Sequence, residues 1–128
     1  MPAVKRVLVI ERDRLQRDLI REWLEAGGAR AVWPQPSAAA AADIDAILVD
    51  VACQQQAHEV LAPWRRAYPH AAIVLASGRF SPGDMANDAM ALRLGATRIL
   101  AKPFTRDDLW AALGLQPIPA IPGRLPPR

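Results

Sequence analysis

Short runs of aliphatic, often β-branched residues alternate along the chain with longer stretches in which apolar residues recur every three or four positions. This is the pattern of βαβ units around a parallel sheet. Residues 7–10 form the first apolar run. Over residues 14–25, Leu15, Leu19, Ile20, Trp23 and Leu24 share one helical face, with Asp13 placed to cap the start and Gly27-Gly28 to end it. A shorter strand is expected over residues 31–33, stopped by Pro34 and Pro36, after which Ser37 caps an alanine-rich helix to Ala42. Residues 44–49 are apolar except for Asp45, as in a strand buried on both faces, and Asp50 follows at its carboxyl end.

Residues 54–68 are helical in composition, with Pro63 expected to kink the helix or restart it at Trp64. A fourth strand over residues 71–76 ends at Ser77-Gly78. Ser81-Pro82-Gly83-Asp84 has the cap, first-turn proline and acid of a helix start, and that helix is expected to run to Leu94 and stop at Gly95. Residues 97–101 make a fifth strand, and Thr105-Arg106-Asp107-Asp108 opens a last helix that Gly114 ends. The pattern predicts an α/β fold: a doubly wound, five-stranded parallel sheet with five helices. Residues 1–114 form the domain, and residues 115–128 form a flexible tail, in which five of the 12 prolines fall from Gln116 onward.

Composition narrows the function. A chain of 128 residues, 52% hydrophobic, fills one core and leaves no room for a second catalytic domain. The net charge of +3 comes from arginines scattered over helical segments, which does not argue for direct nucleic-acid binding. Cys53 is the single cysteine, so no internal disulfide forms, and two histidines give no zinc spacing. The first apolar run is too short for a signal peptide or a membrane span, so a soluble cytoplasmic protein is expected. Cys53 reads as a packing residue and His58 and His70 as surface residues, while Trp23, Trp64 and Trp110 fit the packed faces of helices.

In an open parallel sheet, side chains at the carboxyl ends of the strands converge on one crevice. Here those ends carry Glu11 and Arg12 after the first strand, Asp50 after the third, Ser77 after the fourth and Lys102-Pro103 after the fifth. A carboxylate, a hydroxyl and an ammonium together suit an aspartyl-phosphate: the carboxylate attacks phosphorus, and the other two hold the phosphoryl oxygens.

The motifs Val7-Leu8-Val9-Ile10-Glu11, Asp45-Ala46-Ile47-Leu48-Val49-Asp50, Ile73-Val74-Leu75-Ala76-Ser77-Gly78, Leu94-Gly95-Ala96 and Lys102-Pro103-Phe104 stand in order and at compatible spacing. With them the sequence resembles the receiver domain of bacterial two-component response regulators over residues 5–114. The resemblance implies Asp50 as phosphoacceptor, Ser77 as switch hydroxyl, Lys102 as the cation that pairs with the phosphate, and a cis Lys102-Pro103 bond. It implies no enzymatic activity beyond self-phosphotransfer and autodephosphorylation. The implied partners are a histidine kinase or phosphotransfer protein and a downstream protein bound through the last two helices and the fifth strand, with a homodimer compatible.

The resemblance also implies Mg²⁺ held by Glu11, Asp50 and the carbonyl of Ala52, but the second acid of the family stands here as Arg12. Glu11, Arg12, Asp50 and Lys102 sum to zero charge where the family carries minus two, so metal binding is expected to be weak. Arg12 is then expected either to replace the metal as a tethered cation or to pair with Asp50 and leave it unphosphorylated. Two further departures are the loop Val51-Ala52-Cys53-Gln54-Gln55-Gln56, which lacks the family's Met-Pro-Gly turn, and Ile99, where many receivers keep an aromatic. A phosphorylation-independent interaction module is the alternative. A flavin or nucleotide enzyme ranks below both, because no glycine-rich loop follows the first strand.

Overall fold

The computed structural model describes residues 5–34 and 43–115. Strands β1 (Lys5–Ile10), β2 (Ala29–Val32), β3 (Ala46–Asp50), β4 (Ala72–Ser77) and β5 (Arg98–Ala101) lie parallel in the order β2-β1-β3-β4-β5. The helices are α1 (Arg14–Ala26), α2 (Ala57–Ala67), α3 (Asp88–Arg93) and α4 (Arg106–Leu113). The helix expected after Ser37 and the tail from residue 116 lie outside the described residues.

Because successive strand residues point to opposite faces, each strand contributes to two cores. Leu8, Ile47, Val49, Ile73, Leu75 and Ile99 pack on one side with Ala57 and Leu61 of α2 and Ala91 of α3. Val7, Val9, Leu48, Val74 and Leu100 pack on the other with Ile20 and Leu24 of α1 and Leu109 and Leu113 of α4. The sheet is therefore doubly wound. From β1 the chain crosses first to β2 on one side and later to β3 on the other, so the strand order reverses between β1 and β3, where such sheets open a crevice at their carboxyl edge.

Several boundaries differ from the sequence pattern for identifiable reasons. The second strand is drawn back to Ala29–Val32, in register with Lys5 to Leu8 of β1. Helix α2 follows a 3₁₀ turn at Gln54–Gln56 and runs through Pro63 unbroken. Pro63 and Glu59, whose carbonyl loses its usual donor, are both on the exposed side, where water can replace the missing bond. The helix expected from Ser81 to Leu94 is two pieces, a 3₁₀ segment Pro82–Ala86 and α3. Asn87 divides them: its backbone is non-helical and its side chain accepts from the Met90 amide at 2.9 Å, capping a new helix.

Other signals act as the sequence suggests. Asp13 caps α1 by accepting from the Gln16 amide at 3.1 Å. Ser81 and Thr105 each begin a reciprocal capping box, with Asp84 and Asp108. Gly114 ends α4 in the left-handed region at φ 67°. The Lys102-Pro103 bond is cis.

Candidate functional site

Asp50 is the last residue of β3, and Ala76 lies opposite it on β4. Ser77 comes one residue later on β4, paired with Ala101 of β5, and its carbonyl accepts from the Lys102 amide at 3.0 Å. Glu11 follows β1 directly. Four adjacent strands, β1, β3, β4 and β5, thus bring Glu11, Asp50, Ser77 and Lys102 to one edge of the sheet.

Lys102 is the centre of that rim. Its Nζ donates to Asp50 Oδ1 at 2.8 Å and to Glu11 Oε2 at 3.1 Å. The Glu11 side chain is 5% exposed, Lys102 22% and Asp50 31%. Glu11 is thus buried beneath the cation while Asp50 remains open to a reagent. Burial pulls the Lys102 ammonium toward neutrality, but the hydrogen bonds and charges of Asp50 and Glu11 outweigh it and hold the group above its ordinary 10.5. Lys102 is accordingly a fixed positive charge at neutral pH, held beside the Asp50 carboxylate.

Ser77 is in the same row but its hydroxyl faces inward. It is fully buried, and its Oγ accepts from the Arg79 amide at 3.1 Å, closing the turn Ser77-Gly78-Arg79. Among the described residues the Ser77 hydroxyl makes no hydrogen bond to Asp50 or Lys102. The structure therefore unites Asp50, Lys102 and Glu11, and it places Ser77 beside them with its oxygen engaged by its own loop. That local bond was readable only as turn chemistry in a Ser-Gly dipeptide.

Arg12 does not pair with Asp50. It is exposed, and among the described residues it takes part in no salt bridge. The reason is local: Lys102, reaching across from β5, already occupies the carboxylate, and Glu11 takes its remaining charge. Asp13, the next acid along, is committed to capping α1.

These residues do not fit a divalent ion. Glu11 and Asp50 share one ammonium, Ala52 supplies only a backbone carbonyl, and the adjoining side chain is a guanidinium, so the local charge is close to zero. Two unit charges about 4 Å apart interact by roughly 4 kcal/mol at an effective dielectric of 20, so a missing acid and an added cation together weigh heavily against Mg²⁺. Among the described residues no three His, Cys, Asp or Glu side chains come together as ligands.

No protein-family model matches the sequence, and no curated protein matches it as a sequence relative. Solved structures do match its fold. A response regulator from Thermotoga maritima superposes with a TM-score of 0.68 at 20% identity, over 88% of this chain and 96% of that one. The chain carries the receiver-domain fold. A response regulator from Burkholderia pseudomallei, whose structure contains a phosphorylated aspartic acid, a calcium ion and citrate, matches at TM-score 0.65 and 26% identity, over 85% of this chain and 66% of that one. An orphan response regulator of H. pylori matches at 0.59 and 18%, over 85% and 96%. Among the described residues of this receiver-fold chain, no helix is long and apolar enough to cross a membrane.

Proposed function

We propose that the protein is a signal-receiving module of the two-component type, in which Asp50 accepts a phosphoryl group from a histidine kinase or phosphotransfer protein. The observation that carries this reading is the Asp50 carboxylate, partly exposed at the end of the central strand with the Lys102 ammonium 2.8 Å away. In the step, an Asp50 oxygen forms a bond to phosphorus while the phosphorus–nitrogen bond of a phosphohistidine breaks, and the freed imidazole takes up a proton. Lys102 neutralises charge on the phosphoryl oxygens, moving from a carboxylate partner to the phosphate. Ser77 Oγ accepts from the Arg79 amide and keeps its O–H to donate to a phosphoryl oxygen once the side chain turns toward the rim. The activity of the chain is limited to this self-phosphotransfer and its hydrolytic reversal, and the signal passes on by protein contact through α3, β5 and α4 in a cytoplasmic setting. The phosphorylated aspartic acid of the Burkholderia relative supports the chemistry on this fold.

A second reading is a phosphorylation-independent interaction module. It is favoured by the same ion network, since a lysine already shared by both acids, together with a poor metal site, leaves Asp50 less able to accept phosphate. Incubation with acetyl phosphate or phosphoramidate, with and without Mg²⁺, followed by intact mass measurement, separates the two. A mass gain of one phosphoryl group, absent in Asp50→Asn, supports the first reading. Unmodified protein under every condition leaves the second.

A further inference from the structure

At the edge of the sheet opposite Asp50, the carboxyl ends of α2 and α3 and the residues leading into β4 and β5 enclose an open groove of about 610 Å³. The full length of β4, about 20 Å at 3.3 Å per residue, separates it from the rim that holds Asp50 and Lys102. We propose that this groove binds an acidic peptide segment of a partner protein, with an apolar side chain of that segment seated on the floor.

The floor is apolar. Ala62, Ala71, Ile73 and Ala96 line it, and Leu92 stands at the rim with 78% of its surface exposed. The charged side chains that line the groove are Arg65 and Arg66, both exposed and neither in a salt bridge among the described residues. By contrast Arg98, at the start of β5, is already paired with Asp88 at 3.1 Å. Arg65 lies across the backbone of Gly95, where φ is 86° and a Cβ would stand 3.2 Å from a guanidinium nitrogen. His58, in the first turn of α2, reaches the Arg93 carbonyl at 2.6 Å and so ties α2 to the carboxyl end of α3.

Arginines in the last turns of helices have an ordinary explanation, because they complement the partial negative charge of the helix end. Here the magnitudes leave a surplus. Two helix ends contribute about half a negative charge each, against the two guanidinium groups of Arg65 and Arg66 that line the groove, so about one positive charge remains. A nucleic acid would meet the cations but leave the apolar floor and Leu92 unused. An acidic segment carrying leucine or phenylalanine satisfies both, with bidentate carboxylate pairs at the rim and apolar burial between them.

The test is panning of a random peptide library displayed on phage against the full chain and against an Arg65→Glu/Arg66→Glu variant whose folding is checked by circular dichroism. Enriched peptides are expected to combine Asp or Glu with an apolar residue. A labelled consensus peptide is expected to lose about tenfold or more in affinity to the double variant, to weaken with salt, and to weaken on Leu92→Ser, which keeps the charges. Asp50→Asn is expected to bind it unchanged. The proposal is overturned by a failure to enrich, by enriched peptides lacking acids, or by binding that survives charge reversal. Binding of single-stranded DNA, or self-association of the chain, that is abolished by the double variant also overturns it in favour of that occupant.

Discussion

Lys102 Nζ stands 2.8 Å from Asp50 Oδ1, and the same ammonium covers the buried Glu11 carboxylate at 3.1 Å. Removing it by Lys102→Met leaves Glu11 charged and unpaired at 5% exposure, so the variant is expected to lose roughly 2 kcal/mol near neutral pH. Because the folded protein holds the Lys102 proton more tightly than the unfolded chain, this stabilisation is fully present below 10.5 and is lost as pH rises through the higher folded value. Urea titrations are therefore expected to show the gap between wild type and variant closing at strongly alkaline pH. Adding Glu11→Gln to Lys102→Met recovers part of the loss, and a gap that stays constant with pH would refute the linkage.

Arg12 is expected to decide how the site meets a divalent ion. Arg12→Asp replaces a cation with the third carboxylate that the cluster lacks, and the variant is expected to gain Mg²⁺ binding that the wild type does not show. At about ten times the dissociation constant the gain is about 1.4 kcal/mol, or a rise of several degrees in Tm. Thermal melts of both proteins with and without Mg²⁺ read it directly, and equal shifts in the two would remove the role assigned to Arg12.

Gly27 ends α1 directly beneath Trp110 of α4. A Cβ there would come within 2.7 Å of the indole nitrogen, which donates to the Trp23 carbonyl at 2.8 Å. Gly27→Ala is expected to cost about 1–3 kcal/mol through displacement of Trp110, with a change in tryptophan emission that Gly78→Ala does not cause, since nothing lies within 4 Å of a Cβ at Gly78.

Thr105 accepts from the Asp108 amide at 3.1 Å, and Asp108 returns a bond to the Thr105 amide at 3.0 Å. Thr105→Ala is expected to lower stability by about 1 kcal/mol, and Thr105→Ser by much less. A denaturation midpoint in which the two variants fall together would show that the cap does not depend on the hydroxyl.

The sheet and its order of elements were legible because each strand is a short apolar run and most helices carry caps that local chemistry enforces. Asp13, Thr105 and Gly114 act as their residue types require. The break at Asn87 was not legible, because a helical pattern of apolar spacing continues through it and only a side-chain bond to the Met90 amide reveals the second cap. Pro63 does not restart the helix at Trp64, since its cost depends on whether Glu59 faces water. In the site, the strand-end positions of Asp50, Ser77 and Lys102 followed from topology. Which cation would hold Asp50 did not, because Lys102 reaches it across the sheet while Arg12, nearer in sequence to Glu11, faces solvent. The inward turn of the Ser77 hydroxyl likewise depends on Arg79, a neighbour whose amide geometry no residue type announces.

Asp50 hangs from β3, which has a hydrogen-bonded neighbour on each side and four consecutive buried residues before the carboxylate. Amides of that strand, like those of the interior strands β1 and β4, are therefore expected to exchange slowly with deuterated solvent. Whatever arrives at Asp50 is received by a strand held on both sides, so its effects are expected to spread through side chains and connecting loops while the strand beneath stays still.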